Sequence, residues 1–232
     1  YAPQVNKTFF TYGSTTHEDE THLLIMAPEY AHTNHSVPQP TIVDTKPGVN
    51  DPHDNASIAL DKDGYVWIFV SGRGSARPGF KYRSVKPYSV DEFEKVTTEE
   101  MTYPQPRYVE GKGFFNNFTK YTAGRELYWE TSKDGIEWSE DQKLAGFGGH
   151  YQMTAEQDGT IITVFNYHPS GVDSRTNLYF AMTEDMGETW TTVDGTVLDT
   201  PLDHRDNPAL VIDYEKQGLL NYNKDVAFDA DG

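Results

Sequence analysis

The stretch Thr183-Glu184-Asp185-Met186-Gly187-Glu188-Thr189-Trp190 decides the fold. An Asp two places after a hydroxyl residue can cap the amides of a tight turn. Gly supplies the positive φ such a turn needs, and the closing Trp is large enough to wedge between sheets. Ser132-Lys133-Asp134-Gly135-Ile136-Glu137-Trp138, 51 residues earlier, is the same pattern shortened by one residue. One acidic hairpin would be commonplace. Two copies, each at the same place in a repeat, point to an architecture.

Working outward, each copy follows a pair of short apolar runs joined by an acidic-Gly turn, a hairpin signal. Tyr151 to Ala155 leads through Gln157-Asp158-Gly159 into Thr160 to Phe165. Ala56 to Leu60 leads through Asp61-Lys62-Asp63-Gly64 into Tyr65 to Val70, and Pro208 to Ile212 through Glu215-Lys216-Gln217-Gly218 into Leu219 to Tyr222. A weaker copy joins Arg107 to Val109 with Phe114 to Phe118. The anchors Asp63, Lys112, Asp158 and Gln217 lie 49, 46 and 59 residues apart. A propeller blade of four strands needs about 40–50 residues. Further strands are expected at Lys81 to Ser84, Glu126 to Glu130 and Asn177 to Met182. The fold class read from this grammar is all-β, a β-propeller of four-stranded antiparallel blades, with about four to five blades in the chain. Thr8 to Gly13 and Leu23 to Ala27 read as late strands of one blade, and Val226 to Gly232 as a first strand with its Asp-Gly turn. Residues 1–232 are therefore expected to form a single propeller domain, incomplete at both ends, whose remaining blades lie elsewhere.

The composition agrees. Abundant Tyr, Phe, Trp, Gly and Pro in 232 residues favours strands and turns, with enough chain for a sizeable core. The formal charge of −17 argues against broad binding to nucleic acid or an anionic membrane, and no apolar run is long enough for membrane insertion. With no cysteine there are no disulfides, thiolate nucleophiles or Cys-ligated zinc. This fits a secreted or periplasmic bacterial protein and is compatible with the cytosol. Tyr1 in place of an initiator Met suggests processing or truncation. Glycosylation sequons fall at Asn6, Asn34, Asn55 and Asn117. No phosphate loop, dinucleotide fingerprint or zinc-protease motif is present, and no cofactor is expected, although the many oxygen ligands would suit a structural Ca²⁺. His32 and His35, three apart in a turn, are a weak metal pair.

Strand alternation collects one end of each hairpin on one rim. To that rim it sends His53, Asp54 and Asn55 with Arg73 and Arg77; Tyr103, Gln105 and Arg107 with Lys120 and Tyr121; His150 and Tyr151 with Asn166, Tyr167 and His168; and His204, Arg205 and Asn207 with Asn221, Asn223 and Lys224. A cationic rim on an acidic chain is the main functional clue, because loops on a rigid scaffold carry function. Arg on such a rim can grip a carboxylate through two bonds, and His or Tyr can take or give a proton, so the rim carries the residue types of acid–base chemistry on an acidic ligand.

The chain resembles the BNR-repeat propellers related to sialidases, and most of all the branch of ulvan lyases and rhamnosyl-glucuronate lyases and hydrolases. The resemblance is carried by Asp51-Pro52-His53-Asp54-Asn55, Ser71-Gly72-Arg73, Tyr82-Arg83-Ser84, Tyr103-Pro104-Gln105-Pro106, Asn166-Tyr167-His168-Pro169 and Asp225 to Gly232, and it spans nearly the whole chain. It implies a seven-bladed ring, a polysaccharide or oligosaccharide substrate, and His53 as a catalytic residue. A Tyr and a cation would come from the next blade, for which Tyr103 and Lys120 are the nearest matches. Asn55, Arg73, Arg107, His150, Tyr151, His168, His204 and Arg205 are the substrate-binding candidates. Many relatives show Ser-Gly-His where this chain has Ser71-Gly72-Arg73; Arg binds a carboxylate but cannot act as a neutral base. Three functions stay open: a uronate-cleaving lyase, a rhamnosidase-type hydrolase, and a carbohydrate-binding propeller without chemistry. Each residue also has a plainer role: His53 capping a turn, Arg73 pairing with Asp54, Tyr103 packing, His150 and His168 as satisfied structural groups, and His204-Arg205 echoing the repeat.

Overall fold

The computed structural model describes residues 1–15, 22–121, 124–171 and 173–229. The strands are β1 (Lys7–Phe9), β2 (Tyr12–Thr15), β3 (His22–Ala27), β4 (Glu29–Ala31), β5 (Thr41–Pro47), β6 (Ala56–Leu60), β7 (Val66–Val70), β8 (Gly79–Ser84) and β9 (Phe93–Glu99). They continue with β10 (Thr102–Val109), β11 (Gly113–Lys120), β12 (Glu126–Ser132), β13 (Gln142–Ala145), β14 (Gly149–Gln157), β15 (Thr160–Tyr167), β16 (Thr176–Thr183) and β17 (Leu210–Ile212). A single 3₁₀ turn, Pro52–Asp54, is the only helical element among the described residues. Three four-stranded sheets run in the orders β6-β7-β8-β9, β10-β11-β12-β13 and β14-β15-β16-β17, beside a three-stranded sheet β2-β3-β5 and the pair β1-β4. The four-stranded antiparallel blade read from the repeat is thus the building unit.

The chain divides into two compact units, Tyr1–Tyr108 and Val109–Gly232. Ile25, Val66, Ile68, Val70 and Tyr82 centre the core of the first. All five residues of β7 are buried, as expected of a strand covered on both faces. The turn feeding it is built by Asp61, whose carboxylate accepts from the amides of Asp63 (3.0 Å) and Tyr65 (2.9 Å) and from the Trp67 indole (2.9 Å). Phe115, Leu127, Leu144, Phe165, Tyr179 and Trp190 centre the core of the second unit. The two motif turns work as their sequences imply. Asp185 accepts from the Thr189 amide at 2.8 Å and the Thr183 hydroxyl at 2.8 Å, and Asp134 from the Ile136 amide at 2.8 Å. Gly187 has φ +92, and a Cβ there would meet the Trp129 ring at 2.8 Å. Trp190 is buried against Phe115 and Trp129, with ring centroids at 6.0 and 6.3 Å.

Two readings are corrected. Pro208 to Tyr222 is not a hairpin: β17 pairs with β16, Leu178 opposite Ile212, and no strand follows it through residue 229. Burial explains this. Ala209 enters the core, whereas Leu219 and Leu220 are 50% and 62% exposed and have no apolar face to join. Thr8 to Gly13 is not one strand either; it is split between β1, which pairs with β4, and β2, which pairs with β3. Of the expected closing strand Val226 to Gly232, residues 226–229 are irregular and 230–232 lie outside the described residues.

Candidate functional site

In the first unit, one group forms around the turn between β5 and β6. Asp51 caps it: its Oδ1 accepts from the His53 amide at 3.1 Å and from His53 Nδ1 at 2.5 Å. Its Oδ2 takes Arg77 Nη2 at 2.7 Å. The same guanidinium grips Asp54, Nη2 to Oδ1 at 2.7 Å and Nε to Oδ2 at 3.1 Å, while Lys46 Nζ reaches Asp54 Oδ2 at 2.6 Å and the Ser71 carbonyl at 2.6 Å. Asp54 is wholly buried, so it needs this double pairing to hold its charge out of water. His53, by contrast, leaves 42% of its side chain exposed. Partial burial pushes the Asp51 carboxyl up, but the bonds from His53 and Arg77 outweigh it and bring the value down to about 2.

The Tyr103 ring meets His53 edge-on, centroids 5.9 Å apart, and its Oη accepts from Arg73 Nη1 at 2.5 Å. Tyr103 holds a left-handed backbone, φ +54, with its amide on Ser71 Oγ at 3.0 Å. Gly72 makes the neighbouring approach possible. Arg73 N bonds the Arg77 carbonyl at 2.7 Å, and a Cβ on Gly72 would lie 2.2 Å from that oxygen.

The second unit has its own polar group. His150, 1% exposed, accepts at Nδ1 from Arg175 Nε at 3.4 Å, so its Nε2 carries the proton and donates to Tyr121 Oη at 3.1 Å. His168, 4% exposed, lies 5.5 Å from His150 by ring centroids and accepts at Nδ1 from Arg125 at 3.2 Å. Its protonated Nε2 and Arg125 Nε are buried donors without an acceptor. Burial, with Arg125 and Arg175 adding to it, holds the His168 imidazole below its ordinary range and therefore neutral. Arg175 lies over the Tyr151 ring at 4.3 Å and bonds Tyr222 Oη at 3.0 Å.

Of the residues expected from sequence, His53, Arg73 and Tyr103 come together in one unit, and His150, Tyr151 and His168 in the other. The other candidates make structural contacts. Lys120 pairs with Asp141 and faces the Tyr128 ring at 5.1 Å. Asn55 caps the Ala56 amide at 2.9 Å, and Arg107 bonds the Pro106 carbonyl at 3.0 Å. Arg205 is paired with Glu215 on an exposed segment, where the His204 carbonyl accepts from Asn207 at 2.7 Å. Arg73 does not pair with Asp54; Arg77 does. Sequence reasoning missed Asp51, Arg125 and Arg175. The first had a signal, an Asp preceding Pro and two places before a His, which is N-cap spacing. The two arginines had none, because they precede strands rather than sit in a motif.

Repeated four-stranded antiparallel blades make this a β-propeller protein. The chain belongs to the family described as "BNR repeat-containing family member", whose pattern matches residues 10–232. A solved structure of a polysaccharide lyase of family PL25, an ulvan lyase bound to -[GlcA(1-4)Rha3S]-, superposes with a TM-score of 0.80 at 17% identity, over 98% of this chain and 60% of that one. The polysaccharide lyase Uly1 superposes with a TM-score of 0.67 at 16% identity, over 91% of this chain and 58% of that one. These likenesses establish the fold, and this chain spans about 60% of the length of the proteins it matches. No curated protein matches the sequence.

Proposed function

We propose that this chain contributes the catalytic group of a carbohydrate-active enzyme that cleaves a uronate-containing polysaccharide by β-elimination. The observation carrying this reading is the edge contact of an exposed His53 with the Tyr103 ring, centroids 5.9 Å apart, beside the Arg73 guanidinium on the Tyr103 phenol. In this reading His53 Nε2 takes the proton from C5 of the uronate. The electron pair left behind forms the C4–C5 double bond as the C4–O bond breaks. Tyr103 Oη protonates the departing oxygen, and Arg73 supplies positive charge to the carboxylate, which makes the C5 proton easier to remove. The solved ulvan lyase bound to a glucuronate-rhamnose sulfate polymer supports the substrate class. A hydrolase using two carboxylates is disfavoured at this group, since Asp51 and Asp54 are both taken up by ion pairs with Arg77.

A second reading, acidic-glycan binding without chemistry, draws on the second unit. Both of its histidines accept from arginine, and His168 Nε2 and Arg125 Nε are buried donors without an acceptor, which suits holding an anion rather than removing a proton. The test is to treat glucuronate-rich polymers with the purified protein. Growth of unsaturated-uronate absorbance that disappears in His53→Ala supports the lyase. New reducing ends without absorbance support a hydrolase, and binding with neither supports the second reading.

A further inference from the structure

We infer that Asp51 is a positioning residue that fixes the tautomer and aim of His53, and that buried Asp54, acting through Arg77, fixes Asp51. The inference rests on the elimination reading for its catalytic consequence, but not for its geometry. Each oxygen of Asp51 has its own assignment: Oδ1 holds His53 Nδ1 at 2.5 Å and Oδ2 holds Arg77 Nη2 at 2.7 Å. A carboxylate bound on both oxygens cannot rotate without breaking one bond, so the imidazole it holds is fixed in plane and direction. An ionised carboxylate only accepts, so neutral His53 must carry its proton on Nδ1 and present the Nε2 lone pair outward. Arg77 is itself immobilised by two bonds to Asp54, which Lys46 anchors from the other side. The order Asp54, Arg77, Asp51, His53 thus runs from a wholly buried charge to a side chain that is 42% exposed. A turn capped only for stability would need the Asp51 bond to the His53 amide and nothing at the ring.

The experiment is nitrogen-15 NMR of the His53 imidazole in the purified protein and in Asp51→Asn. The wild type is expected to show the Nδ1–H form. Asp51→Asn, which keeps the shape but can offer a donor toward the ring, is expected to lose that preference. Wild-type His53 in the Nε2–H form, or a tautomer unchanged in Asp51→Asn, overturns the inference. Arg77→Lys keeps a cation near Asp54 but has no fork to reach Asp51 as well. It is expected to broaden the His53 signals, and sharp wild-type signals in this variant would remove Arg77 and Asp54 from the scheme. If the protein turns over substrate, kcat of Asp51→Asn should fall about 10²-fold with KM held within about twofold. A purely structural role would lower Tm and leave kcat of the folded fraction intact. Absence of turnover in the wild type would sink the elimination reading and leave the tautomer result to decide this one.

Discussion

Arg73 Nη1 donates to Tyr103 Oη at 2.5 Å, so the phenol oxygen has an accepting role filled and its own hydrogen directed away from the guanidinium. Tyr103→Phe deletes that oxygen while keeping the ring against His53. Turnover of a glucuronate-rich polymer is expected to fall by about 10²-fold or more with the far-ultraviolet circular dichroism unchanged. Full turnover in the folded variant would remove Tyr103 from the chemistry.

Gly72 sits where any side chain meets backbone: the Arg77 carbonyl at 2.2 Å and the Gly79 nitrogen at 2.6 Å. Gly72→Ala should therefore cost roughly 1–3 kcal/mol in urea unfolding. It should also pry Arg73 from its bond to the Arg77 carbonyl, weakening turnover beyond what the stability loss explains. An unchanged midpoint would mean that the loop relaxes freely.

His168 is buried and held below the ordinary imidazole value, first by burial and then by Arg125 and Arg175. The unfolded chain therefore binds a proton before the folded one does, and stability falls as pH drops through the ordinary imidazole range. His168→Asn should flatten the dependence of Tm on pH between about pH 7 and 5. A variant whose Tm falls as steeply as the wild type's would place the acid sensitivity elsewhere.

Asp185 ties Thr183 and Thr189 across the β16 turn, and Asp134 does the same for Ile136 and Glu137. Replacing either by Ala removes at least two bonds and should cost on the order of 1–2 kcal/mol by chemical denaturation, with faster amide exchange confined to that turn. Loss of carbohydrate turnover in these variants, at full folding, would contradict their structural assignment.

The fold was legible because its signals are local. The motif turns, the Asp61 turn and the runs Ala56 to Leu60 and Val66 to Val70 are each specified within a few residues. Leu219 to Tyr222 carries the same apolar look but fails as a strand, because whether a run finds an edge and a core is decided outside it. The site was legible in part for the same reason. His53, Arg73 and Tyr103 flank strand ends that repeat grammar can locate, and so do His150 and His168. Their partners were not, since Asp51 with Arg77 and His150 with Arg175 are joined only by how loops fold back. Lys120 matched by position alone, and its carboxylate neighbour Asp141 comes from a loop no repeat predicts.

Adjacent positions 53 and 54 live under opposite rules. Asp54 is wholly buried and clamped by Lys46 and Arg77, so a neutral replacement leaves the buried Lys46 without its carboxylate and Arg77 with Asp51 alone. His53 is held by the Asp51 carboxylate and flanked by the Tyr103 ring, and its side chain fronts the solvent. Evolution, or a protein engineer, can therefore swap the reactive group at 53 on a platform that stays put, and descendants of this scaffold should diverge there first while keeping the acid next door.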